Sequence, residues 1–156
     1  MKNTSILLKI AAILWIIWGL VHVFAGGITM YFIISGDISS AISGIADAID
    51  PSTVQMDYPA AAGAIIGQHG FNLCWVGLVT FLCAFFIWKG NKNAIFLAAI
   101  TGGLTDLGYF IFLDIGGFVK FAPGTVMTIV SGAAIALSFY AYFRMKNNAT
   151  PLESTQ

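Results

Sequence analysis

The chain has 156 residues, 58% of them hydrophobic and only 9% charged, with seven basic and seven acidic side chains and a mean hydropathy of +0.88. Soluble domains carry roughly 25% charged residues, so this composition excludes an ordinary water-soluble domain and reads as an integral membrane protein. Balanced charge and the lack of a dense basic patch exclude nucleic acid as a partner.

The first apolar run covers about 5–34 and exceeds the roughly 20 residues that cross a bilayer's hydrocarbon core. Met1-Lys-Asn-Thr-Ser followed by an apolar stretch and Ala25-Gly-Gly27 imitates a cleavable signal peptide, but hydrophobicity continues through Ile28–Ile34, so an uncleaved helix is expected. Within it Trp15, Trp18, Gly19, His22, Gly26 and Thr29 recur at steps of three or four, one helical stripe.

The connection 35–59 is the only long one. Ile38, Ile42, Ile45 and Ile49 follow the spacing of a helix face, with Asp37 to cap the start and Asp50-Pro51 to end it. The expectation is a short amphipathic helix over 38–49 lying on the outer interface, Asp47 and the serines toward water, serving as a lid or a strut.

The second run, 60–88, contains Ile66-Gly-Gln-His-Gly-Phe-Asn-Leu-Cys-Trp-Val76, which puts Gln68, His69 and Asn72 on an apolar segment. Gln68 and His69 are about 100° apart on a helix, so only one of them points at a bundle axis. Cys74 and Cys83 lie nine residues apart on this helix, about 13 Å, too far to bridge, and read as packing residues. Trp18-Gly-Leu-Val21 and Trp75-Val-Gly-Leu-Val79 look alike, but their spacing differs by one residue and they read as composition bias rather than a repeat.

The third run, 94–115, carries Gly102, Thr105, Asp106, Tyr109 and Leu113 on one face, and Asp114 before Gly116-Gly117 reads as a helix stop. The fourth, 122–143, carries Thr125, Thr128, Ser131, Gly132, Ile135 and Ser138, a small and hydroxylated stripe suited to close packing. Short connections, 89–93 and 116–121, imply antiparallel neighbours. The expected fold is therefore all-α: an antiparallel four-helix membrane bundle over 1–146, followed by a disordered polar tail, 147–156. Lys2, Lys9, Lys89, Lys92, Arg144 and Lys146 gather at one side, whereas the other has Lys120 with Asp37, Asp47, Asp50 and Asp57. The positive-inside bias puts both termini in the cytoplasm of a multi-pass plasma-membrane protein. Trp88, Tyr140, Tyr142 and Tyr31 fall where interfacial aromatic anchors fall.

Counting 1.5 Å per residue from segment midpoints places His22, His69, Asn72, Gln68, Asp106 and Tyr109 in one layer of the outer half. A charged side chain at a helix centre costs at least about 2.5–3.5 kcal/mol, so Asp106 is expected to be neutral, paired with a histidine or bound to a cation. Four readings follow. The cluster of His22, His69 and Asp106, supported by Asn72, Gln68 and Tyr109, specifies helix packing in a structural or accessory subunit. Alternatively His22 and His69 ligate one haem, with Gly19, Gly26, Gly67 and Gly70 making room for the ring. The same two histidines with Asp106 form a zinc or iron site. Finally, the layer is a pocket for a small apolar ligand that exchanges protons with the histidines and Asp106, wrapped by Trp15, Trp18, Phe71, Trp75, Tyr109 and Phe110. Transport through so small a chain would call for a homo-oligomer. A site that binds a small apolar ligand or a cofactor is the favoured reading, and the sequence names no substrate or reaction.

Overall fold

The computed structural model describes residues 2–148, and the remainder of the polar tail lies outside the described residues. The described chain is helical, with five α-helices: α1 (Lys2–Ile34), α2 (Ile38–Ala46), α3 (Ala60–Trp88), α4 (Lys92–Tyr109) and α5 (Val126–Asn148). Asn147 and Asn148 thus extend the last helix. Four stretches, Ile6–Ile34, Ala60–Trp88, Lys92–Asp114 and Phe121–Asn147, are long and apolar enough to cross a membrane.

The ends follow from local chemistry. Asn91 starts α4 by accepting the Ala94 N–H at 3.2 Å. Beyond Tyr109 the chain continues as a π-helical turn, Phe110–Asp114. α5 begins at Val126 rather than at residue 122, because Pro123 lacks an N–H and pushes Ala122 into an extended conformation (φ −112°, ψ 140°).

Around the core α1 packs against α3 and α5, and α4 packs against the same two helices. The closest seam is α1 against α3. Ala12, Gly19 and Gly26 on α1, and Gly63, Gly70, Gly77 and Ala84 on α3, recur every seven residues and are all buried. A Cβ on Gly19 would stand 2.7 Å from the Gly77 carbonyl oxygen, and one on Gly77 would stand 2.6 Å from that of Gly19. Gly26 faces Gly70 in the same way, so the numbering runs in opposite directions along the seam. Only glycine lets two backbones come this close. The similar segments at Trp18 and Trp75, which read as composition bias, therefore meet through their glycines.

Trp15 and Trp18, both fully buried, fill the centre, and Trp15 reaches across to Gly102 of α4. Ile87, Ala94, Ile95 and Ala98 close α3 on α4 near their short connection. Outward-facing surfaces carry large apolar side chains, among them Ile17, Phe24, Ile65, Leu82, Ile100 and Ile129. Gly132, expected on the inner stripe of the last helix, is exposed and meets nothing.

α2 lies over the end of the bundle far from the chain termini. Asp37 caps it, accepting the Ser40 N–H at 2.9 Å and the Ser40 hydroxyl at 2.6 Å. The helix stops at Ala46, three residues earlier than expected, since Asp47 turns left-handed (φ 37°). The chain then pairs with the α4–α5 connection: Ala48 bridges Val119, Ile49 N–H donates to Phe118 O, and Lys120 N–H donates to Asp47 O. Lys120 Nζ adds an ion pair to Asp47 at 3.2 Å. Asp50 caps the next turn, Pro51–Val54, rather than ending α2.

Candidate functional site

Beneath α2 lies a cavity of about 440 Å³. α1 contributes Val21, His22 and Ala25; α3 contributes His69, Asn72, Leu73 and Val76. The α4 segment adds Thr105, Asp106, Gly108, Tyr109, Phe112 and Leu113. Gly44, Ile45 and Asp47 roof it, and Pro123, Gly124 and Met127 close the last side. The wall is open beside His69 and Asn72, which are exposed although they line it.

Its polar centre is built by one helical turn of α1 facing α4. Trp18 and His22, four residues apart, stack with ring centroids 3.6 Å apart. The Trp18 indole N–H donates to Asp106 Oδ2 at 2.6 Å, a short bond across the core. His22 Nδ1 lies 2.9 Å from the Trp18 carbonyl oxygen. A carbonyl only accepts, so Nδ1 carries its hydrogen, and Nε2 is left facing Asp106 Oδ1 at 3.7 Å. That separation is beyond hydrogen-bond reach but within ion-pair range, and the two groups attract only when the pair carries a proton. Asp106 is 4% exposed and His22 9%, so both are held largely away from bulk water. On α5, Ser131 stands beside Asp106 and its hydroxyl donates to Thr128 O at 3.0 Å.

A second polar group sits toward the roof. Thr125 donates its hydroxyl to Asp114 Oδ1, and Asp114 Oδ2 has no partner among the described residues. Gly124 makes the notch that holds the Tyr109 hydroxyl, since a Cβ there would occupy its position.

Of the residues expected to share a layer, His22, Trp18 and Asp106 are in direct contact, and His69, Asn72 and Tyr109 line the same cavity. Gln68 is exposed and not part of the wall. Trp75 turns outward, 43% exposed, and donates to Asn72 Oδ1 at 3.1 Å. Phe71 and Phe110 also face outward, and Phe112 takes the place at the wall expected of them. Asp47, expected to face water, is partly exposed at the cavity rim, where it pairs with Lys120. Nothing in a one-dimensional pattern marks that position, because the left-handed residue and its pairing with 118–120 arise only when the two connections meet.

The glycines expected to make room for a haem are filled. Gly19 and Gly26 are closed by the α3 backbone, Gly70 by Thr29 and Gly67 by Ile33. His22 directs Nε2 at Asp106 and stacks on Trp18. The metal set of His22, His69 and Asp106 is likewise not assembled: among the described residues no three His, Cys, Asp or Glu side chains form a group that could hold an ion.

No protein-family model, curated protein or solved structure matches the chain.

Proposed function

We propose that this chain is a four-span antiparallel membrane bundle with both termini cytoplasmic. Its outer-half cavity takes up a small, largely apolar ligand and exchanges a proton with the His22–Asp106 pair. The apolar outer surface supports the membrane reading, since soluble monomers rarely expose so many large apolar side chains together. Lys9 over Trp88, Lys92 over Tyr142 and Arg144 over Tyr140 place three base–aromatic contacts at the end that carries the termini. Bases and aromatic rings together at one end are what a cytoplasmic interface favours.

The observation that carries the ligand reading is the cavity of about 440 Å³, apolar over most of its wall, with a buried histidine–carboxylate pair at its side. That volume falls within the roughly 300–1,000 Å³ of small-molecule sites. A ligand dissolved in the outer leaflet would enter beside His69 and Asn72 without crossing the lid.

Gly108 lines the cavity, and a Cβ there meets nothing within 4 Å, so Gly108→Phe is the variant chosen to fill the space. The neutral probe triphenylphosphine oxide should raise the unfolding free energy of the detergent-solubilised wild type by about 2.7 kcal/mol at a hundredfold excess over Kd. Gly108→Phe should keep its own stability and lose the increment. An equal increment in both proteins, or none in the wild type, would refute the reading. A purely structural role for the pair is favoured by the Trp18–Asp106 bond, which ties α1 to α4. Under that role no probe stabilises either protein.

A further inference from the structure

Resting on the cavity reading above, we propose that the His22–Asp106 pair carries one proton and that the ligand is a lipophilic organic cation whose arrival releases it. The charges around the cavity are unequal. Asp106 lines it from α4 and Asp47 from the end of α2, and Asp114 lies within electrostatic range of both Asp106 and the Tyr109 hydroxyl. Against these three carboxylates stand His22 on α1, His69 on α3, and Lys120, which is spent on Asp47 at the exposed rim. The part of α5 that packs here offers only hydroxyls, Thr128 and Ser131, so it adds no positive charge.

With the shared proton in place, Asp106 is compensated by His22 and Asp47 by Lys120, and Asp114 retains an oxygen without a partner among the described residues. An anion entering here meets Asp106 and Asp47 with little to offset them. A cation meets the same two carboxylates and the Tyr109 side chain on the same wall. Two positive charges, the cation and the shared proton, are not both needed to balance Asp106 in a low-dielectric wall. The cation takes over the compensation and one proton leaves to water past His69. The balance is one organic cation in and one proton out, with no net change of charge at the site.

The test uses the full-length protein in lipid nanodiscs and three probes of similar shape: tetraphenylphosphonium, tetraphenylborate and neutral triphenylphosphine oxide. Equilibrium dialysis should show phosphonium binding at least tenfold more tightly than borate. Its affinity should rise about tenfold per pH unit where the pair holds its proton, with one proton released per cation bound, read by a pH dye in weak buffer. Asp106→Asn should abolish both the release and the pH dependence. If that variant does not fold, Asp47→Asn serves: it should weaken phosphonium severalfold, and Asp47→Glu should restore it. Borate binding as tightly as phosphonium, or phosphonium binding without proton release, overturns the proposal and leaves the cavity reading standing if the oxide still binds. Binding of none of the three removes both.

Discussion

Replacing Gly26 by alanine adds one methyl group at the tightest point of the α1–α3 seam. The new Cβ would lie 2.6 Å from Cys74 N and 3.0 Å from Cys74 Cα, and closer still to the Gly70 carbonyl oxygen. These are backbone atoms, so no side chain can rotate away. Ordinary contact begins at about 3.4 Å, and the two helices must part by roughly 0.8 Å or more, a gap that forfeits a quarter to a half of the dispersion well along the seam. Overpacking of this kind costs about 1–3 kcal/mol, here at the upper end, and alanine's better helix propensity returns about 1 kcal/mol. The expected net loss is about 2 kcal/mol. Gly27, the next residue, supplies the control: its Cβ meets nothing within 4 Å, so Gly27→Ala should gain up to about 1 kcal/mol. Unfolding titrations with SDS in mixed micelles, followed by tryptophan fluorescence, measure the difference between the two variants, expected near 3 kcal/mol. His22 sits on the same seam, its Cβ 3.0 Å from where a Gly77 Cβ would be, so Gly26→Ala should also weaken probe binding. Equal stability of the two variants would refute the assignment of these glycines to close backbone packing.

Trp18→Phe keeps a ring stacked on His22 and deletes the donor to Asp106. It should cost about 1–3 kcal/mol in the same titration, as expected when a buried acceptor loses its donor, and a change below about 0.5 kcal/mol would show that the bond contributes little. The lid should loosen in acid. The Ser40 hydroxyl and N–H hold the Asp37 carboxyl below its ordinary 3.8, and Ser52 does the same for Asp50. A carboxyl with a depressed folded value contributes its stability above 3.8 and loses it as pH falls through the lower folded value. Hydrogen exchange over 38–46, corrected for intrinsic rates, should therefore rise between about pH 5 and pH 3 in the wild type, and Asp37→Asn should flatten that rise. An unchanged pH response in the variant would exclude this cap as the cause.

The number and approximate length of the apolar helices were legible in the sequence, because each is a run of 20 or more mostly apolar residues bounded by polar or helix-breaking ones. The sequence also brought the ionisable groups of three helices to one depth, since rise per residue is fixed by the backbone. It did not determine helix rotation. These helices are apolar nearly all round, so hydrophobic periodicity, which marks the inward face of a soluble helix, carries little information here. The inward side was decided by contact: a seven-residue series of glycines and alanines locks α1 on α3. With it, His69 and Asn72 turn toward the cavity and Gln68 and Trp75 away. The glycines were legible as small residues but misassigned as space for a cofactor, because a missing side chain reads the same in sequence whether a ligand or another backbone fills the place. The ion pair of Asp47 with Lys120 and the bond from Trp18 to Asp106 join residues 73 and 88 positions apart. Only the packing of the whole chain brings such pairs together, and no local pattern encodes their distance.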